Sequence, residues 1–150
     1  MIKKIALYFS GFLLTFLLLV FYNYNQAQLR LKDTRSTQLS IAMVSAPQTV
    51  SVNDPANFKW HLEAPISFTT PLTTIYWSYD SSPGALIKLD SPQAVRYHNF
   101  AEDYTNGRFH LPDDFDLNLR FGKKGTVYYR AYAFIAGDHL WSAEQSIIVN

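Results

Sequence analysis

The chain has no cysteine. That single absence excludes disulfide staples, a thiol nucleophile, a cysteine zinc site and lipid attachment through a cysteine. Glycine is scarce, at 6 residues in 150, and no glycine-rich loop of the kind that cradles phosphates is present. The four histidines, His61, His98, His110 and His139, are scattered without metal-ligand spacing, and no serine stands in a G-x-S-x-G context. The sequence therefore presents no catalytic, cofactor-binding or metal-binding set and reads as a non-enzyme. Charge of one sign is lacking as well, with 13 Lys and Arg against 12 Asp and Glu. Past Leu39 the balance is 8 against 11, a net of −3, and such a mildly acidic region has no electrostatic footprint for nucleic acid. Internal repeats and low-complexity tracts are also missing.

What is present divides the chain in two. From Ile5 to Tyr22 the run IALYFSGFLLTFLLLVFY carries no charge and is long enough to cross a bilayer as a helix. Lys3 and Lys4 ahead of it would equally suit a cleaved signal peptide. The end of the run favours a retained anchor: VFYNYNQAQ offers Ala27 to a signal peptidase but places Asn25 two residues before it, and Phe21, Tyr22 and Tyr24 read as an interfacial aromatic belt. The expected organisation is a cytoplasmic tail at 1–4, a transmembrane helix at 5–24, a polar linker at 25–38 and a domain at 39–150. Orientation is nearly tied, because Arg30, Lys32 and Arg35 balance the basic residues before the helix. The short tail ahead of the first apolar segment favours a cytoplasmic N-terminus and an extracytoplasmic domain.

Past the linker the hydrophobic period becomes two. FKWHLE sets Phe58, Trp60 and Leu62 on one face, and TIYWSY sets Ile75, Trp77 and Tyr79 together. Further strands are expected at 39–45, 85–89, 94–98, 107–111, 126–135 and 142–149, separated by NDP, EAP, SSPG, DSP, TNG, LPDDF, GKKG and AGD turn signals. About seven strands at this spacing predict an all-β fold, an antiparallel β-sandwich of half-buried strands. Its expected core includes Phe58, Trp60, Leu62, Ile75, Trp77, Tyr129 and Trp141.

NFKWHLEAP (57–65) resembles the second strand of fibronectin type III domains, where an inward Trp is followed by Pro as the chain leaves the sheet. GTVYYRAYAFIAG (125–137) resembles their sixth strand, and LWSAEQSIIV (140–149) their last. The resemblance covers 39–150 in outline and implies a fibronectin type III or immunoglobulin-like sandwich, a fold that hosts many unrelated roles. It also implies a corner tyrosine at Tyr128 or Tyr129. The segment 82–121 departs from the family in being longer and richer in Pro and Asp.

Two candidate sites remain. LPDDFD (111–116), with Glu102 and Asp103, offers carboxylates to calcium, but its spacing fits no calcium loop and a solvated turn is the plainer reading. The sharper feature is on the sixth strand: with Val127, Tyr129, Ala131 and Ala133 inward, Tyr128, Arg130, Tyr132 and Phe134 point outward, beside Tyr76 of the third strand. This row is either a ladder that braces the fold through cation–π contacts or a surface that recognises a protein or glycan. With Trp141 and Ser142 it resembles half of the Trp-Ser and Arg ladder of cytokine-receptor domains. The expected role is a membrane-anchored, non-catalytic interaction module, held to lipid by its helix. The alternative is a small accessory subunit whose helix makes the specific contacts while the sandwich is a rigid cap.

Overall fold

A computed structural model describes residues 16–22, 39–65 and 68–150. Residues 16–22 are helical with exposed side chains. Most of the transmembrane helix expected at 5–24 lies outside the described residues, as does the linker. Among the described residues no helix is long and apolar enough to cross a membrane.

Residues 38–150 form a separate unit built from β1 (Ser40–Ser45), β2 (Thr49–Val50), β3 (Pro55–Glu63), β4 (Thr69–Thr70), β5 (Leu72–Ser78), β6 (Asn99–Phe100), β7 (Phe109–His110), β8 (Asp113–Arg120), β9 (Gly125–Ile135), β10 (Asp138–Trp141) and β11 (Gln145–Val149). One sheet has the order β1-β3-β8. The other runs β2-β11-β9-β5-β6, with β10 also on β9, and a short β4-β7 ribbon stands apart. The result is a β-sandwich. Its pairs are antiparallel except β2 with β11, which run parallel.

The core between the sheets follows from the period of two. β3 buries Ala56, Phe58, Trp60 and Leu62, and β9 contributes Val127, Tyr129, Ala131 and Ala133 from the facing sheet. Trp60 stacks on Phe115 at 5.7 Å and donates its indole N–H to Thr73 Oγ1 at 2.8 Å. Thr73 in turn donates to the Tyr132 carbonyl, so the one polar atom of the buried indole is satisfied. Ile75 and Tyr129 join this core and Trp77 packs at its margin. Trp141 does not. It pairs with Tyr132, and directly opposed residues share a face, so it lies on the other side of the sheet.

Three expectations need correction. The Asp-rich stretch read as a turn and candidate calcium ligand is strand β8, in which Phe115 and Leu117 point inward while Asp114 and Asp116 face out. Acidic outward residues had masked an ordinary alternation. Residues 85–89 and 94–98 are not strands; their backbone groups serve turns and a neighbouring side chain instead of a ladder. Lastly, β5 and β9 are not half-buried. Thr73, Thr74, Ile75 and Tyr76 are consecutive buried residues, as are Tyr129 to Ala133, because something covers the second face of their sheet.

Replacing Trp60 by Ala removes a fully buried ring and its hydrogen bond, and should cost about 3–5 kcal/mol in urea unfolding of residues 39–150. Lys59→Ala, on the exposed face of the same strand, should leave stability within about 0.5 kcal/mol. Equal losses at both positions would contradict the register of β3.

Candidate functional site

The cover is the connection between β5 and β6, residues 79–98. At twenty residues it is well beyond an ordinary strand connection, and it crosses the outer face of the six-stranded sheet as a strap. Under it lies a second, smaller apolar cluster of Tyr76, Val95, Tyr97 and Tyr132, with Leu72, Leu86, Tyr128, Phe134 and Trp141 packed against it. The predicted row is therefore assembled as the period demands, with Tyr76 opposite Arg130 and Ser78 opposite Tyr128. The expectation that this row faces solvent is corrected: Arg130 is 3% exposed and Tyr132 1%, and Tyr128 and Phe134 are half-buried.

Tyr76 meets Tyr132 and Trp141 edge to face, whereas Tyr97 stacks on Trp141 at 6.3 Å. Tyr76 stands 5.3 Å from both Tyr132 and Trp141 at steep angles, the arrangement favoured by ring quadrupoles. Tyr132 is 4.4 Å from Trp141, and its hydroxyl pairs with His139 Nδ1 at 2.6 Å. Burial pushes the Tyr132 phenol well above its ordinary value.

Arg130 holds the strap through oxygens more than through rings. Its Nε donates to the Tyr97 hydroxyl at 2.9 Å, Nη1 to the Ser142 carbonyl at 2.8 Å, and Nη2 to the carbonyls of Ser82 and Gly84, each at 2.8 Å. The guanidinium carbon also lies 5.7 Å from the Tyr97 ring centroid. The Tyr97 hydroxyl passes the chain on by donating to Glu144 Oε2. Glu144 then accepts from the Ser81 hydroxyl and the Ser82 N–H, both at 2.7 Å. Arg130, Tyr97 and Glu144 thus tie both arms of the strap to β9 and to the strand beside it. Among the described residues no buried side-chain nitrogen or oxygen lacks a partner, which is what a buried charge requires.

A bulge makes this reach possible. Trp141 pairs with Tyr132 and Gln145 with Tyr129, so Ser142, Ala143 and Glu144 oppose only Arg130 and Ala131. The extra residue bends the strand locally. The Ser142 hydroxyl fills the gap in the ladder by accepting from the Ala131 N–H at 2.9 Å. Its carbonyl is left free for Arg130, and Glu144 points toward the strap.

Protonation follows the geometry. Burial, reinforced by the bond to Glu144, pushes the Tyr97 phenol up to about 12, so it remains a donor at neutral pH. Burial opposes ionisation of Glu144. The bonds from Tyr97, Ser81 and the Ser82 N–H, with the charge of Arg130, outweigh that and hold the carboxyl below its usual 4.5.

A second polar group lies on the outer face of the other sheet. His61 Nδ1 meets Asp114 Oδ1 at 2.7 Å and its Nε2 meets Glu63 Oε2 at 3.2 Å. These bonds, Asp114 first, raise the imidazole above 6.5. His61 and Asp114 are cross-strand partners, a relation hidden while β8 was read as a turn. Among the described residues no group of three or more His, Asp or Glu is placed to hold a metal.

Tyr97, Ser82 and Glu144 were not singled out from sequence. The available signal was the length and proline content of the connection after β5, which implied a covering segment without saying what pins it. As for the corner tyrosine, Tyr129 donates its hydroxyl to Gln145 Oε1. The loop between β8 and β9 is tied by Tyr79, which donates to the Lys123 carbonyl.

No protein-family model matches the chain, and no curated protein matches it. Solved structures show loose likenesses. The PKD domain of an M14-like peptidase from a Thermoplasmatales archaeon is 13% identical, covering 73% of this chain and 92% of that one with a TM-score of 0.48. A CARDB domain from Pyrococcus furiosus, solved with di-metal ions, is 13% identical over 75% of this chain and 88% of that one, TM-score 0.42. A superoxide reductase (neelaredoxin) from Ignicoccus hospitalis is 17% identical over 74% and 80%, TM-score 0.40. At such identities each neighbour's activity stays with that neighbour.

Arg130→Ala leaves the Tyr97 hydroxyl and the Ser82, Gly84 and Ser142 carbonyls without their charged donor, and should cost at least about 3 kcal/mol. Tyr97→Phe, which removes only the relaying hydroxyl, should cost about 1–3 kcal/mol. Glu144 adds a pH signature. A carboxyl with a lowered folded value stabilises above the unfolded value of 4.5 and loses that contribution as pH falls through the folded one. The acid loss of stability should therefore be smaller in Glu144→Gln than in the parent. Denaturant titrations showing Arg130→Ala within about 0.5 kcal/mol of the parent would mean that the strap does not depend on the guanidinium.

Proposed function

We propose that the chain is a single-pass membrane protein that displays a non-catalytic, immunoglobulin-like module on the extracytoplasmic side, with its N-terminus in the cytoplasm. One observation carries this reading: a sandwich with a complete core of its own follows an 18-residue uncharged apolar run after a short polar tether. The run is long enough for a bilayer span. The strand order, β1-β3-β8 against β11-β9-β5-β6, supports the fibronectin type III or immunoglobulin-like assignment.

The covered face changes where a partner would bind. With the strap closed, Tyr76, Arg130 and Tyr132 are committed to the fold, and a protein or glycan meets strand edges and loops instead. The same covering favours a second reading, the accessory subunit, because a sheet whose two faces are both consumed internally suits a rigid cap whose helix makes the specific contacts.

Protease added to intact cells should remove the domain while sparing 5–24, and the parent chain should need detergent for extraction. Replacing 5–24 with an unrelated apolar helix should then leave partner capture intact. Loss of capture after that exchange would establish the accessory-subunit reading. A chain found in the aqueous fraction, or a mature N-terminus near Gln28, would remove the anchor altogether.

A further inference from the structure

The strap carries a turn that is rigid and yet exposes apolar side chains. Ile87 to Asp90 closes on itself twice: the Asp90 N–H donates to the Ile87 carbonyl at 3.0 Å, and the Ile87 N–H donates to Asp90 Oδ2 at 2.7 Å. The turn is then fastened to β10. The His139 N–H donates to the Lys88 carbonyl, Lys88 pairs with Asp138 at 2.7 Å, and the Trp141 indole N–H donates to the Asp90 carbonyl at 2.8 Å. Ile87 remains 60% exposed and Leu89 83%. Isolated exposed leucines are common on proteins, but an anchored turn that presents two of them is a built feature.

Its position is informative. Leu39, Ser40 and Ile41 share with Leu86, Ile87 and Lys88 the wall of one depression of about 400 Å³. Leu39 is where the chain enters the sandwich from the polar tether. Phe68, 37% exposed, stands at the same end, where β3 finishes and β5 begins. The C-terminus leaves from the opposite end, since Val149 pairs with Gly125 at the start of β9. Of the exposed large apolar side chains described in the domain, Phe68, Ile87 and Leu89 are at the tethered end, while Val44, Phe100 and Ile148 are spread singly over the rest of the surface.

We infer that the Ile87–Asp90 turn is a lipid-contact site, which places Ile87 and Leu89 in the interfacial zone of the bilayer. The inference rests on the membrane-anchor reading. Three facts favour lipid over a protein partner. The Ile87 N–H and the carbonyls of Ile87, Lys88 and Asp90 are spent on the turn itself and on β10, so an occupant need offer few hydrogen bonds. The 14 residues of the tether at 25–38 span at most about 50 Å fully extended, which keeps the bilayer within constant reach. A tethered contact of this kind needs little intrinsic affinity, because its effective concentration is high. Charge selects the lipid: Glu63, Asp90 and Asp113 lie at this end, and Lys88 and Asp138 neutralise each other. A zwitterionic surface fits it, and an anionic one would be repelled.

The cysteine-free chain allows a direct test. The full chain carries a polarity-sensitive fluorophore at a single introduced cysteine, in phosphatidylcholine vesicles containing headgroup-labelled nitroxide lipid. Ser91→Cys reports the turn, Lys123→Cys the far end and Leu13→Cys the apolar run. The Ser91 probe should be blue-shifted and quenched by the nitroxide, the Lys123 probe should behave as in water, and the Leu13 probe should sit deep. In the Ile87→Ser, Leu89→Ser background, with an unchanged melting temperature, the Ser91 probe should revert to the aqueous signal. A Ser91 probe that matches Lys123 while Leu13 is embedded overturns the lipid contact and leaves the anchor standing. A Leu13 probe in water overturns both.

Discussion

A guanidinium shut away from water is tolerable only if its N–H groups find oxygens in fixed places, and Arg130 imposes that requirement on everything around it. Three carbonyls and one phenol must be delivered to a single side chain. Two of the carbonyls come from the strap and one from the bulge at Ser142. The twenty-residue connection is thereby converted from a loop into a layer. The aromatic ring cluster follows, because Tyr76, Tyr132 and Trp141 lie beneath a segment that Arg130 holds closed. Cation–π attraction to Tyr97 adds to this, about 2 kcal/mol for a desolvated contact of that kind, beside four hydrogen bonds from a charged donor.

The two-sided packing also explains why β9 reads so strangely in sequence. An amphipathic strand has one reason to be apolar, whereas β9 has two. Val127, Tyr129, Ala131 and Ala133 fill the space between the sheets, and Tyr128, Arg130, Tyr132 and Phe134 meet the strap. Apart from Tyr129, which packs on Phe58, the core-facing residues are small and those toward the strap large, since the main core is already crowded by Phe58, Trp60 and Phe115. The outer face is thus a second interior, and recognition moves to the parts of the surface that the strap leaves open.

The main core was legible because it depends on period alone. Phe58, Trp60, Leu62, Ile75 and Tyr129 declare their side by alternation, and the pairing of Tyr76 with Arg130 follows from placing the third and sixth strands together. Strand β8 was illegible because its outward residues are acidic and follow a proline, which is also how a turn is spelled. The strap was illegible for a deeper reason. Its anchors, Ser82, Gly84, Tyr97, Ser142 and Glu144, are bound through backbone carbonyls, one phenol and one carboxylate at separations from 12 to 62 residues of chain, and a carbonyl has no letter in the sequence. Trp141 was assigned to the wrong interior because hydrophobicity does not say which of two cores a ring enters; the hairpin register with Tyr132 does.

The central claim is that the strap belongs to the folded core rather than lying over it. Native-state hydrogen exchange on residues 39–150 tests this most directly. The Ser82 N–H is bonded to Glu144 Oε2 and the Ala94 N–H to the Ser91 carbonyl. If Arg130 makes the strap one cooperative unit with β9, the Ser82 amide should exchange only through openings close in free energy to global unfolding, alongside the amides of Ile75 and Val127. Exchange of Ser82 and Ala94 as an independent, weakly protected segment, with β5 and β9 still closed, would contradict the account and return the aromatic face to the solvent-accessible surface.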